Sequence, residues 1–389
     1  MAAVALEGGT PGRVTPGRPR LTGIDVLRGL VMVLMAIDHV RVYSGVPAGG
    51  PSLGVFFTRW VTHFCAPVFV FLAGTSAFLY GCRIGDKGRL ARYLATRGLL
   101  LVLLELTVIR ASWTFGVDYS SFILAGVIWM LGWCMVLLAG LVWLPPPVVG
   151  GIGVAIVLFQ PVFGLAGSAM PDALRAWWEL VYPSGAELRL GASGPQVTVL
   201  YSLVPWIGVM AGGYGFGAIL ERPPERWRRL VLVLAVSATV LFVAIALVLL
   251  PPGDEPAYLR LLNQRKYPAS VPFLLMTLGP ALALLPLADR ARGPIAGALE
   301  TFGRVPFFFY LLHIPLIHAI ALIVWRVRDV GIDDGAFKSA PYVRIPDPQR
   351  WNLPLLYLVW AIAVAILYVA CRWYASVKAR SASPWLRYL

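Results

Sequence analysis

The sequence predicts an all-α polytopic membrane protein, a single helical bundle of about ten transmembrane helices (nine to eleven) with both termini cytoplasmic. Three observations predict it. The chain of 389 residues is 59% hydrophobic and 13% charged, with a mean hydropathy of +0.76, outside the range of soluble globular proteins. Ten runs are long and apolar enough to approach the roughly 20 residues that a bilayer requires. The basic residues gather in alternate connections, the pattern of a cytoplasmic face.

The ten runs fall at 24–44, 60–80, 94–110, 121–142, 148–167, 200–220, 229–250, 269–288, 305–325 and 353–373. The third is short and carries Arg97 and Glu105, and the fourth and fifth are separated only by a turn at Pro145, Pro146 and Pro147. Arginines 13, 18 and 20 precede the first run. Arg83, Lys87, Arg89, Arg92 and Arg97 follow the second, Arg222, Arg226, Arg228 and Arg229 the sixth, and Arg290, Arg292 and Arg304 the eighth. Arg372, Lys378, Arg380 and Arg387 end the chain, so all five clusters share one side. The net charge of +14 therefore reports orientation and gives no basis for nucleic-acid binding, since no soluble domain carries it.

Residues 1–20 are rich in Gly, Pro, Thr and Arg and read as a disordered cytoplasmic tail, 21–376 as the membrane domain, and 377–389 as a basic cytoplasmic tail. No cleavable signal peptide is expected, because the first apolar run is too long for one and contains Asp38. The connection 168–199 interleaves Leu174, Trp177 and Leu180 with Asp172, Arg175 and Glu179, which predicts a short amphipathic helix on the outer surface. Glycines 208, 212, 213, 215 and 217 in the sixth run predict close helix packing rather than a nucleotide loop, because no strand precedes them. Cys65, Cys82, Cys134 and Cys371 lack metal-ligand spacing and read as small apolar fillers; no metal is expected.

Ionisable residues inside such runs are costly and mark function by default. Threading the runs puts Asp38 and His39, His63, Glu105, and His313 and His318 in the outer half of the bilayer on four different helices. Asp25 and Arg28 lie three apart at the inner end of the first helix, spaced for a mutual ion pair. His318 reads as packing and His313 as a residue near the midplane. The segments YSLVPWIG (201–208) and NQRKYPASVPFLLMTLGP (263–280) open inward-running helices, so Trp206, Asn263, Lys266 and Tyr267 are expected around an outer cavity mouth. Pro268, Pro272 and Pro280 are expected to interrupt the eighth helix.

Four segments carry a family resemblance: RLTGIDVLRGLVMVLMAIDHVR (20–41), THFCAPVFVFLAGTSAFL (62–79), the segment 263–280 and FGRVPFFFYLLHIPLIH (302–318). They resemble the bacterial branch of the heparan-alpha-glucosaminide N-acetyltransferase catalytic-domain-like family, over essentially the whole chain. The resemblance implies a transmembrane acyltransferase, which in the lysosomal relative carries acetyl from cytosolic acetyl-CoA to a terminal glucosamine across the membrane. That relative's catalytic histidine lies between its first two spans, where this chain (Gly45 to Thr58) has none. His63 stands instead in the position of an aspartate, and His39 in that of an asparagine.

These readings combine into one expectation: acyl transfer from acetyl-CoA or another acyl-CoA, a substrate rather than a tightly bound cofactor, to an amino or hydroxyl group of a sugar or glycoconjugate at the outer face of a bacterial inner membrane. His63 or His39 would be the base, with Asp38 and Glu105 as orienting carboxylates. Asn263, Lys266, Tyr267, Trp206 and His313 would surround the acceptor, and Arg28 and Arg304 would meet CoA phosphates. The partners expected are the lipid bilayer, acyl-CoA and the acceptor, with a homo-oligomer allowed. Two other classes use the same residues: a proton-coupled or lipid-handling transporter with an intramembrane relay, and an assembly subunit whose polar groups cement helices.

Overall fold

The computed structural model describes residues 21–50, 52–120, 122–182, 185–189, 194–329, 337–338 and 340–381. The expected N-terminal tail and most of the expected C-terminal tail lie outside them. The described residues are 76% helical. A helix stands at each of the ten predicted runs. These are α1 (Thr22–Ser44), α2 and α3 (Leu53–Trp60, Cys65–Ile84) joined by one tight turn, and α4 (Lys87–Leu104) with α5 (Arg110–Thr114). Then come α6 (Val127–Leu141), α7 with α8 (Pro146–Leu158, Gln160–Ser168), α10 (Trp206–Leu220), α11 (Pro224–Val248), α13 (Val271–Arg290), α15 (Pro306–Val327) and α16 (Leu353–Arg380). Five of them, Leu53–Ile84, α11, α13, α15 and α16, are long and apolar enough to cross a membrane, and the pair α7–α8, bent by 56°, makes a sixth if counted as one span. α6 and α10 have 15 residues each, below the usual span.

Between these lie shorter elements. The amphipathic helix expected in 168–199 is present as α9 (Asp172–Val181). Beside it β1 (Phe122–Ala125), β2 (Ala186–Arg189) and β3 (Gln196–Val199) form a sheet of order β1-β3-β2, parallel between β1 and β3 and antiparallel between β2 and β3. The first residues of the predicted fourth run are therefore strand, and its helix begins at Val127. A short α12 (Ala257–Leu262) precedes α13. α14 (Pro294–Arg304), in the connection between the eighth and ninth runs, lies against α1, where side chains at Gly29 and Gly303 would overlap the carbonyls of Leu299 and Asp25.

Small residues set how closely the bundle packs. A side chain at Gly213 would overlap the carbonyl of Phe71, one at Gly74 that of Met210, and Gly208 and Gly215 meet Gly153 and Gly150 of α7. α10 is thereby held between α3 and α7. Gly98 of α4 and Gly132 of α6 face each other's carbonyls in the same manner. Of the five glycines in α10, only Gly212 has open space where a Cβ would stand.

α13 differs from expectation. It runs unbroken from Val271 to Arg290 with Pro280 and Pro286 inside it. Pro272 falls in its first turn, where the missing N–H would have had no intrahelical partner. Pro268 precedes the helix, whose start is capped by the Ser270 hydroxyl accepting from Phe273 N at 3.3 Å.

Candidate active site

α1 supplies the spine of the site, because both its faces are buried: Val31, Met32, Met35, Ala36 and Val40 all pack into the bundle. A cavity of about 480 Å³ runs beside it, walled by α1, α3, α4, α6 and the start of α15. It extends from Asp25 to His39, fourteen residues along the helix, or roughly 21 Å at 1.5 Å per residue.

The two ends of the cavity differ chemically. Where α1 begins, Arg28, Arg83, Arg97, Arg304 and Lys378 line it, with Asp25 among them. Arg28 donates to Asp25 (3.3 Å), to the Gly303 carbonyl (3.0 Å) and to the Ser76 hydroxyl (2.7 Å), as the spacing in α1 predicts for the first of these. Arg304 pairs with Glu300, and Arg97 donates to the Tyr93 hydroxyl at 2.9 Å. The middle is apolar, lined by Met35, Val70, Ala73, Leu101, Leu131 and Met135.

At the end where α1 finishes, Asp38, His39, Thr62, Cys65, Tyr201 and Lys266 converge. Asp38 accepts from Arg41 (2.9 Å) and Arg59 (2.7 Å), and Arg59 also donates to Thr62 at 3.1 Å. Both carboxylate oxygens are engaged by guanidiniums. His39 Nδ1 lies 2.6 Å from His313 Nε2 on α15, and its ring stands edge-on to Trp113, centroids 5.0 Å apart. Lys266, 7% exposed, holds its ammonium 5.5 Å above the Tyr201 ring and 5.2 Å above Tyr267, a geometry that favours a cation. The Tyr267 hydroxyl donates to that of Tyr201 at 3.3 Å.

The remaining candidates stand elsewhere. His63 lies in the tight turn between α2 and α3, edge-on to Phe273 at 5.4 Å. It does not line the cavity, and its Nδ1 is buried with no hydrogen-bond partner among the described residues. Glu105 opens a π-helical turn between α4 and α5 and accepts from Ile128 N at 3.1 Å, serving the first turn of α6, whose backbone N–H groups have no helical partner of their own. Trp206 is fully buried against Tyr201. Asn263 is an exposed residue ending α12. His318 is stacked between Tyr43 and Phe115, centroids 4.8 and 3.9 Å away, a packing role as read from the sequence.

Tyr201 and Lys378 line the cavity and Arg59 reaches its end through Asp38, and none of the three was among the candidate site residues. Arg59 was legible as an outer-end charge near Asp38. Lys378 was hidden in a basic C-terminal stretch that reads as topology.

The arrangement supplies a histidine whose Nε2 has no hydrogen-bond partner among the described residues, a buried ammonium and an apolar passage to a basic mouth. Among the described residues no group of three metal-ligating side chains stands together. The family model for the catalytic region of heparan-alpha-glucosaminide N-acetyltransferase matches residues 20–248, more than half of the chain. No curated protein matches the chain.

Proposed function

Because this chain belongs to the heparan-alpha-glucosaminide N-acetyltransferase catalytic family, we propose that it is a multi-pass acyltransferase that moves an acetyl group from acetyl-CoA, or an acyl group from a related thioester, to an amine or hydroxyl of a sugar or glycoconjugate. The observation that carries the reading is one continuous cavity with arginines at one end and His39 at the other. The donor enters at the basic mouth, where Arg28, Arg83, Arg97, Arg304 and Lys378 supply donors for phosphate oxygens. The pantetheine arm follows the apolar middle, and the thioester carbon arrives beside His39.

The acceptor's nitrogen or oxygen attacks that carbon while His39 takes its proton, a step worth about 10²–10⁴ in rate. Lys266 donates to the developing oxyanion. The C–S bond then breaks and CoA leaves as the thiol, with the proton held by His39 returned to sulfur. Asp38 keeps Arg41 and Arg59 in place at the acceptor end. Ten spans with both termini cytoplasmic put the basic mouth on the side where acyl-CoA is made and the acceptor on the outer face of a bacterial inner membrane. This orientation is supported by the alternation of basic connections.

The test is release of CoA from acetyl-CoA by purified protein with a panel of amino sugars, comparing wild type, His39→Ala and His63→Ala. Wild type and His63→Ala are expected to release CoA, and His39→Ala to lose at least a hundredfold. Solute flux in proteoliposomes without CoA consumption would replace the reading with a transporter.

A further inference from the structure

His313 lies on α15, beyond the matched residues 20–248; it does not line the cavity itself but contacts His39, which does. It is fully buried among Phe309 and Tyr310 of its own helix, centroids 5.4 and 5.1 Å away. Its two ring nitrogens have different partners. Nδ1 is 2.6 Å from the carbonyl oxygen of Tyr310 and 3.2 Å from that of Phe309. Nε2 is 2.6 Å from His39 Nδ1.

A carbonyl oxygen only accepts, so His313 Nδ1 carries a proton. In the neutral ring, the form suited to a site with no exposure, Nε2 is then an acceptor. The 2.6 Å contact therefore requires His39 Nδ1 to be the donor. A neutral His39 protonated at Nδ1 has its lone pair at Nε2, the one ring nitrogen not taken by His313. A backbone carbonyl thus determines, through two rings, which nitrogen of His39 is basic. An outer partner that orients a histidine in this way is a recurring device for choosing a tautomer.

We propose that His313 is a positioning residue that holds His39 in the tautomer protonated at Nδ1, leaving Nε2 to take the acceptor's proton. This rests on the acetyl-transfer reading for its catalytic consequence but not for its tautomer. A triad histidine that loses its orienting partner drops about 10⁴ in kcat through the wrong tautomer, which sets the scale.

Two measurements test it. The chain has four histidines, so ¹⁵N-histidine spectra of the protein in nanodiscs are assignable by single substitutions. His39 is expected to be protonated at Nδ1 and bare at Nε2, and His313→Phe, which keeps a flat ring among Phe309 and Tyr310, is expected to move the His39 proton to Nε2 in part of the population. A wild-type His39 protonated at Nε2, or a tautomer unmoved by His313→Phe, would overturn the proposal. In turnover, His313→Phe is expected to lower kcat by about 10²–10⁴ with the KM for acetyl-CoA within about twofold. His313→Gln, which offers an acceptor oxygen near the position of Nε2, is expected to regain at least tenfold over Phe. Equal activity of the two variants would reduce His313 to packing. If wild type shows the expected tautomer but no acetyl transfer, the enzymatic reading falls and the tautomer assignment stands.

Discussion

His39 has a partner on one ring nitrogen and lines the cavity, whereas His63 has a buried nitrogen with no partner among the described residues and does not line it. That difference sets the expectation of the two alanine variants, and it also separates Asp38 from the histidines. Asp38 is held by two arginines, so Asp38→Asn leaves two guanidiniums facing each other without their counter-ion. Removing one partner of a fully buried ion pair costs about 3–5 kcal/mol. With a fifth of this carboxylate exposed, about 2 kcal/mol is expected, read as a lower unfolding temperature in detergent. Lys266→Met is expected to lower kcat by about 10²–10³, the loss typical of an oxyanion donor, with acetyl-CoA affinity unchanged in a binding titration. At this scale the sequence picked out His39, Asp38 and Lys266, because an ionisable residue inside an apolar run, or just at its opening, is visible without a structure. It did not separate His39 from His63, because composition says nothing about the direction a helix face turns.

Helix contacts made by bare backbone explain why α10 carries so many glycines. Gly213→Ala is expected to cost about 1–3 kcal/mol, since the added methyl meets the Phe71 carbonyl and α3 must move away. Gly212→Ala, at the adjacent residue of the same helix, meets nothing within 4 Å and is expected to be neutral or to stabilise by up to about 1 kcal/mol through helix propensity. Thermal unfolding of the two variants side by side checks both. Long apolar helices were legible because their hydropathy is a local property. α14 was not, since its eleven residues form a helix whose stability comes from lying on α1. The sheet was missed for a related reason: each strand has only four residues, too few for a clear alternation, and β1 pairs with β3 across 74 positions, beyond the reach of any local pattern.

Across the whole molecule, the cavity joins a basic mouth to a histidine end, and this asymmetry must match the membrane's. Cys82, the exposed one of four cysteines, lies near the end of α3 on the basic side, while Cys65, Cys134 and Cys371 are buried. A membrane-impermeant maleimide is expected to label it in inverted vesicles and not in intact cells; the opposite pattern would reverse the orientation. Acetyl-CoA is expected to raise the unfolding temperature as its concentration rises, adding about 2.7 kcal/mol of stability at a hundred times its Kd. The sequence by itself determined the membrane class, the family and the charge asymmetry, because each is a sum or a string along the chain. Only the tertiary structure decided that His39 meets a histidine 274 residues away, that Glu105 serves α6 and that His63 is not among the residues lining the cavity. Those outcomes depend on how each helix is rotated against its neighbours, and the close contacts of glycines and carbonyls that set those rotations exist only once the bundle has assembled.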